Sequence, residues 1–330
     1  MNEPLLQIED LRVLYEVRGQ TAPAVDGVSF SLDEGGSLAI AGESGCGKTT
    51  LAMACLGLQP SNAGVEGSIR FKGDEVIGAK PGRLRALRWA GISMIFQGAM
   101  NALNPVQRVG RQLTEAILLH EKTSQSKANA RAAELMENVG IPKARANDYP
   151  HEFSGGMRQR AMIAMALACN PPLVIADEPT TALDAMVQAQ ILSVLQRLRA
   201  ELGVALILIT HDLSVIAEIC DDVAIMYAGR IVESGPAGAT LDRPTHPYTQ
   251  ALVGAFPKVG DPADRGAPAG LPGDPPDPFA RPPGCSFHPR CAYRFEPCDK
   301  DDPALLPVAA DTLSACHYVH RSERPKEALS

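Results

Sequence analysis

The chain begins with strand-like alternation. Leu11, Val13, Tyr15 and Val17 interleave with Arg12, Glu16 and Arg18, and only Leu14 breaks the period. Val28, Phe30 and Leu32 repeat that period after Asp26-Gly27, where a turn is expected. Ser37-Leu38-Ala39-Ile40-Ala41 has the pattern of a buried strand, so the two alternating strands before it predict an antiparallel β-layer packed on an α/β core. Residues 68–73 read as a short strand and turn, and residues 92–96 as an apolar strand ending at Gln97. From there to about Asn147 the period becomes helical: Val109, Leu113, Ile117 and Leu118 recur at helix spacing, and residues 128–139 carry Leu135, Met136 and Val139 on one side. This predicts a helical insertion between two α/β pieces. A further helix is expected with Ser154 as N-cap, running into residues 161–169 and stopped by Pro171-Pro172. Residues 173–176 and 204–209 are apolar strands, and from Pro257 to Pro283 the composition turns to Pro, Gly, Asp and Ala, a semi-rigid linker.

The chemistry falls at the ends of these elements. Gly42, Glu43, Ser44, Gly45, Cys46, Gly47, Lys48 and Thr49 fit the G-x-x-x-x-G-K-[ST] phosphate loop, with a strand before it and a helix from Thr50 after it. Its glycines let successive N–H groups curl around phosphates at a helix N-terminus. Lys48 is placed for the β- and γ-phosphates and Thr49 for Mg²⁺. Ser154, Gly155 and Gly156 open a buried helix with free N–H donors, a second anion site. Asp177 and Glu178 end a buried strand; beside a phosphate loop Asp177 suits Mg²⁺ and Glu178 an attacking water, although an isolated acidic pair there more often caps a helix. His211, at another strand end, lies on the ligand side of an open α/β sheet. Tyr15 suits adenine stacking and core packing equally.

Bulk properties narrow the class. A formal charge of −7 opposes a nucleic-acid surface, which needs clustered Lys and Arg. No apolar run approaches the ~20 residues of a membrane span, and Met1-Asn2-Glu3-Pro4 lacks the basic start of a signal peptide, so a cytosolic chain is expected. In that compartment the eight cysteines are thiols or metal ligands, not disulfides. Cys285, Cys291, Cys298 and Cys316 cluster beyond the linker with His288 and His317, in a segment too small for its own core, so an outside staple is expected. An iron–sulfur cluster and structural zinc both suit four thiols; the lack of C-x₂-C pairs favours iron, and four unligated thiols remain the plain alternative.

Together the motifs resemble the nucleotide-binding subunit of ABC transporters over about residues 5–260. Seven elements fall in the family's order: Tyr15 as the adenine-stacking aromatic, Gly42 to Thr49, Gln97 of the Q-loop, the Ser154-Gly155-Gly156 signature, Asp177-Glu178, the D-loop Ala182-Leu183-Asp184, and the switch His211. Residues 153–160, 176–184 and His246-Pro247-Tyr248-Thr249-Gln250-Ala251-Leu252 are similar to the oligopeptide/dipeptide importer branch. Two departures are visible. Met157 stands where many signatures have Gln, though Met is usual in this branch, and Gly98-Ala99 replaces the branch's Asp-Pro near the expected membrane-subunit contact.

The resemblance implies a RecA-like α/β core with an antiparallel β-layer and a helical subdomain. The expected organisation is an ATPase domain over residues 1–256 (helical subdomain about 98–160), a linker over 257–284 and a cysteine-rich metal-binding segment over 285–330. It implies ATP held between the phosphate loop of one subunit and the Ser154-Gly155-Gly156 helix start of another. Glu178 would act as base, His211 would hold the γ-phosphate, Gln97 would sense it and ligate Mg²⁺ with Thr49 and Asp177, and the four C-terminal cysteines would carry a [4Fe–4S] cluster. Expected partners are two transmembrane permeases, a second homologous ATPase and an extracytoplasmic peptide-binding protein, at the cytoplasmic face of the membrane. Di- or oligopeptides lead as cargo; nickel chelates or glycosides, and a soluble ATPase of DNA repair or ribosomes, are the alternatives.

Overall fold

The computed structural model describes residues 3–98, 103–181, 183–255, 271 and 273–321. Ala99, Ala182 and part of the expected linker lie outside the described residues. Strands β1 (Leu6–Val17) and β2 (Gln20–Leu32) form an antiparallel hairpin. Its turn is Arg18-Gly19, both at positive φ (53° and 77°), the two-residue geometry whose twist matches the flanking strands. No turn forms at Asp26-Gly27. Pairing steps from Leu11–Val28 to Arg12–Asp26, so Gly27, at φ 74°, is a bulge inside one long strand.

β3 (Ser37–Ala41) runs through the Gly-rich loop into α1 (Lys48–Cys55). β4 (Ala63–Phe71) and β5 (Asp74–Glu75) complete a four-stranded antiparallel sheet, β2-β1-β4-β5, the expected β-layer. α2 (Pro81–Leu87) and β6 (Ile92–Ile95) precede the helical insertion, α3 (Val109–His120), α4 (Gln125–Asn138) and α5 (Gly155–Ala166). α3 buries Val109, Leu113 and Ile117, the face its spacing predicts. Then follow β7 (Leu173–Asp177), α6 (Ala185–Leu202), β8 (Ala205–Thr210), α7 (Ile216–Ile219), β9 (Asp222–Tyr227), β10 (Arg230–Pro236), α8 (Ala237–Asp242) and α9 (Pro247–Gly254).

The central sheet has the order β11-β12-β10-β9-β3-β8-β7-β6, counting β11 (Leu306–Ala309) and β12 (Thr312–Ser314); α10 (His317–His320) follows. From β9 to β6 it is parallel. β3, β7 and β8 are buried at every residue, as a parallel sheet covered on both faces requires. Leu206 and Leu208 of β8 enter one core with helices α3 to α6, while Ile207 and Ile209 enter the other with β1, β2 and α1.

The C-terminal segment is part of this architecture. β12 pairs antiparallel with β10, Glu233 opposite Ser314, and so extends the central sheet. Phe287 is 3% exposed and packs edge-on against Tyr227 and Tyr248, at 5.4 Å from each ring. The α/β body thus supplies the burial that a segment of this size cannot build alone.

Candidate functional site

Four adjacent parallel strands, β3, β8, β7 and β6, deliver the functional side chains at their carboxyl ends, where open α/β sheets bind ligands. β3 leads into the phosphate loop, β7 ends on Asp177, β8 ends on Thr210 just before His211, and β6 precedes Gln97. In the loop, two glycines are sterically required. A Cβ on Gly42 would lie 2.1 Å from the Met226 carbonyl, and one on Gly47, at φ 105°, would lie 2.0 Å from that of Ala24. Lys48, buried, folds over the loop and donates to the carbonyls of Gly42 and Glu43, both at 2.8 Å.

Thr49 and Asp177 meet directly. Thr49 Oγ1 donates to Asp177 Oδ2 at 2.8 Å, while Asp177 Oδ1 is buried without a hydrogen-bond partner. Burial, with the adjacent Glu178 carboxylate, raises the Asp177 pKa against the pull of Thr49 and Lys48. A buried carboxylate oxygen lacking a partner, next to a threonine hydroxyl, fits a hard divalent cation such as Mg²⁺.

Glu178 is the centre of a second set. Gln97 Nε2 donates to its Oε2 at 2.6 Å and Thr181 Oγ1 to the same oxygen at 2.9 Å. His211 Nδ1 lies 3.4 Å from Oε1. Glu178 sits at φ 43°, a left-handed conformation costing a non-glycine residue about 1–3 kcal/mol. Its N–H donates to the Ile209 carbonyl of β8 at 2.8 Å, which fixes the turn. Gln97 therefore contacts Glu178, with no hydrogen bond to Thr49 or Asp177 among the described residues.

Of the other sequence-derived positions, Tyr15 stays beside the phosphate loop, while Ser154 to Gly156 and Asp184 lie at the ends of α5 and α6. Tyr15 is half-buried and lines one cavity with Glu43, Ser44, Gly45 and Cys46. Ser154 caps α5 by accepting from Met157 N–H at 3.3 Å, and Gly156 is where α6 approaches: a Cβ there would lie 2.6 Å from Val187. No described hydrogen bond or ion pair joins Ser154, Gly155 or Gly156 to the phosphate loop. Asp184 caps α6, accepting from Val187 N–H at 3.0 Å. Thr50 lies in the first turn of α1.

Two contacts that sequence reasoning missed support the loop. The Tyr248 hydroxyl accepts the Glu43 N–H at 2.9 Å. Arg290, whose side chain is 6% exposed, grips the Glu43 carboxylate with both Nη atoms, at 2.7 and 2.9 Å. A guanidinium matches a carboxylate in this two-pronged way. The available signal for Arg290 was a basic residue set inside a cysteine-rich stretch; nothing in the sequence ties it to Glu43, 247 positions away.

Cys285, Cys291, Cys298 and Cys316 all line one small cavity, with His246 and Phe287. Burial pushes the Cys285 and Cys291 thiols up to about 11 and raises Cys316. However, among the described residues no group of three or more His, Cys, Asp or Glu side chains is disposed to hold a metal ion. As arranged, the expected four-thiolate ligand set at these cysteines is not formed.

Fold and site together define an ATP-binding cassette. The chain matches the ABC transporter family over residues 25–181 and the oligopeptide/dipeptide transporter C-terminal region over residues 232–298. It is 46% identical to the oligopeptide transport ATP-binding protein OppD of Escherichia coli strain K12, across 95% of this chain and 93% of that protein. It is 45% identical to the dipeptide transport ATP-binding protein DppD of Bacillus subtilis strain 168, across 90% of each. Among solved structures it is similar to the cassette MJ0796, a dimer in a post-hydrolysis state bound to ADP and Pi (TM-score 0.64, 26% identity, 70% of this chain and 98% of that one). CbiO1 of Clostridium perfringens, part of the transporter complex cbiONQ, is also similar (TM-score 0.63, 27% identity, 73% and 92%). The chain belongs to the ABC transporter family, among the ATP-binding proteins of its oligopeptide/dipeptide branch. No helix among the described residues is long and apolar enough to cross a membrane.

Proposed function

We infer that this chain is the ATP-hydrolysing subunit of an ABC importer and that its turnover powers uptake of di- and oligopeptides. The observation that carries the reading is the gathering of Lys48, Thr49, Asp177, Glu178, Gln97 and His211 at four neighbouring strand ends, in a chain related throughout its length to OppD and DppD. Lys48 and the loop N–H groups hold the phosphates. Thr49 and Asp177 would hold Mg²⁺, which supplies charge neutralisation at the β- and γ-phosphates. Glu178 orients the attacking water and draws off its proton. Gln97, Thr181 and His211 fix its carboxylate, and in the bound state His211 would hold the γ-phosphate and Gln97 would sense it. Tyr15 offers its face to adenine.

Ser154, Gly155 and Gly156 form the anion-binding helix start used by a facing cassette, and Asp184 lies at the same junction. Their separation from the chain's own phosphate loop supports head-to-tail pairing. The second cassette is proposed to be a homologous ATPase. Two permeases and an extracytoplasmic peptide-binding protein complete the complex at the cytoplasmic face of the membrane. Affinity purification from mildly solubilised native membranes, followed by mass spectrometry, tests this: permeases, a second ATPase and a peptide-type binding protein are expected, and ribosomal or DNA-repair proteins without a permease refute it.

The four C-terminal thiols are proposed to carry a [4Fe–4S] cluster, with zinc as the alternative. Their convergence on one cavity supports this. No step of hydrolysis is assigned to the cluster. Iron and zinc analysis of anaerobically purified protein decides it: one stoichiometric site of either metal is expected, and neither metal leaves four free thiols.

A further inference from the structure

The cavity beside the phosphate loop has a wall that no nucleotide-site motif accounts for. It has a volume of about 230 Å³ and is lined by Tyr15, Gly45 and Cys46 and also by Pro276, Pro278 and Phe279 of the C-terminal segment. Whole small-molecule sites usually run from about 300 Å³ upward, so this volume suits a flat heterocycle and not an entire nucleotide. Phe279 is a large apolar side chain left 44% exposed at this position. Its N–H donates to Asp277 Oδ1 at 2.9 Å, and Ala280 N–H to the Asp277 carbonyl at 3.0 Å, so the ring is carried on a tight turn.

That turn is fastened to the β-layer. Arg281 donates through Nη1 to Asp26 Oδ2 at 2.6 Å and through Nη2 to the Pro23 carbonyl at 3.2 Å, with both charged side chains less than a fifth exposed. Arg230 holds the same Asp26 oxygen at 2.8 Å. Asp26 belongs to the strand that carries Pro23 and Ala24, which line the cavity as well. Nine residues on, Arg290 grips Glu43 of the phosphate loop. Residues 275–281 are thus tied to the β-layer by Arg281, and the chain that continues from them is tied to the phosphate loop by Arg290.

We propose that residues 275–281 form a base-binding strap acting in cis: the nucleotide base packs between Tyr15 and Phe279, and the Arg281–Asp26 pair holds the strap in place. The inference rests on the phosphate loop binding nucleotide. It makes Phe279 a direct contributor to affinity and Arg281 a positioning residue. Because an aromatic face stacks on any purine, the strap strengthens binding of ATP and GTP alike without separating them.

The test compares ATP with inorganic tripolyphosphate, which has the phosphates and no base, by equilibrium binding to the full chain and to Phe279→Ala, Phe279→Tyr and Arg281→Ala. Loss of one base–aromatic contact is expected to weaken ATP about ten-fold in Phe279→Ala. Phe279→Tyr should restore affinity, Arg281→Ala should weaken ATP several-fold, and tripolyphosphate should bind all four proteins equally. Unchanged ATP affinity in Phe279→Ala and Arg281→Ala, with tripolyphosphate still bound, overturns the strap. Equal loss of both ligands also overturns it, since the segment would then serve folding alone. Failure of the unaltered chain to bind either ligand instead overturns the phosphate-loop reading.

Discussion

At the carboxyl ends of β3, β6, β7 and β8, each functional side chain leaves a buried strand by a short local turn, and the parallel register brings the turns together. The C-terminal segment is held differently. Arg290 reaches Glu43 across 247 positions, Arg281 reaches Asp26 across 255, and Phe287 packs edge-on against the touching pair Tyr227 and Tyr248. The first region is a set of local motifs aligned by a sheet; the second is a set of distant anchors. The cysteine-rich tail is therefore part of the nucleotide site's support, joined to it by an ion pair at the second residue of the phosphate loop.

The sharpest separation of the two regions comes from Glu178→Gln. The amide keeps the size of the carboxylate and loses its basicity, so turnover should fall by about 10²–10⁴-fold with ATP binding retained; steady-state hydrolysis beside equilibrium binding checks it, and wild-type turnover would refute the role. Phe287→Ala addresses the other region. Emptying this site is expected to cost about 3–5 kcal/mol and to lower the main cooperative unfolding transition. A separate early transition with the main one unmoved would show instead that the tail folds independently of the body.

Arg290→Ala leaves the Glu43 carboxylate without its guanidinium partner. Removing one member of a buried pair costs about 3 kcal/mol, and the KM for ATP should rise with kcat little changed, because the altered contact supports the loop and not the attacking water. Arg290→Lys keeps the charge without the fork and should fall between. An unaltered KM in Arg290→Ala would break the link between tail and phosphate loop.

The effect that vanishes at neutral pH is a pH dependence in the junction between the regions. His246 is fully buried, its Nδ1 accepts the Tyr248 N–H at 3.0 Å, and burial lowers its pKa to about 4 from an ordinary 6.5. Above pH 6.5 both folded and unfolded chains carry a neutral imidazole, and the group has no effect on stability. Between pH 6.5 and 4 only the unfolded chain takes up the proton, so stability falls as pH falls, by up to about 3 kcal/mol at the acid end. His246→Asn keeps an N-cap acceptor and removes the titration. Its denaturation midpoint should therefore lose less than the wild type's between pH 6.5 and 4.5, and identical slopes would show that His246 does not titrate in this way.

Much of the site was legible because its chemistry is local. The Gly-Lys-Thr spacing, the buried strands and the acidic pair after residue 176 each occupy a few consecutive positions, and the parallel fold followed from strands too apolar for a solvent-facing sheet. The β-layer was read correctly except at its turn: Asp26-Gly27 has turn composition, yet the hairpin closes at Arg18-Gly19, and Gly27 is absorbed as a bulge because β1 pairs on both sides of it. Composition marks where the chain is able to bend, and pairing decides whether it does.

The class of chemistry is written in short local spacings: a Gly-rich loop ending in Lys48-Thr49 and an acidic pair at the end of a buried strand are residue types that phosphate and Mg²⁺ binding call for. Tertiary structure alone decided that Glu178 is held by Gln97, Thr181 and His211, that Asp26 anchors Arg281, and that Arg290 and Tyr248 brace Glu43. Those contacts join residues from separate elements. Their proximity is set by sheet order and by which faces the two cores bury, quantities that arise only when the whole chain packs.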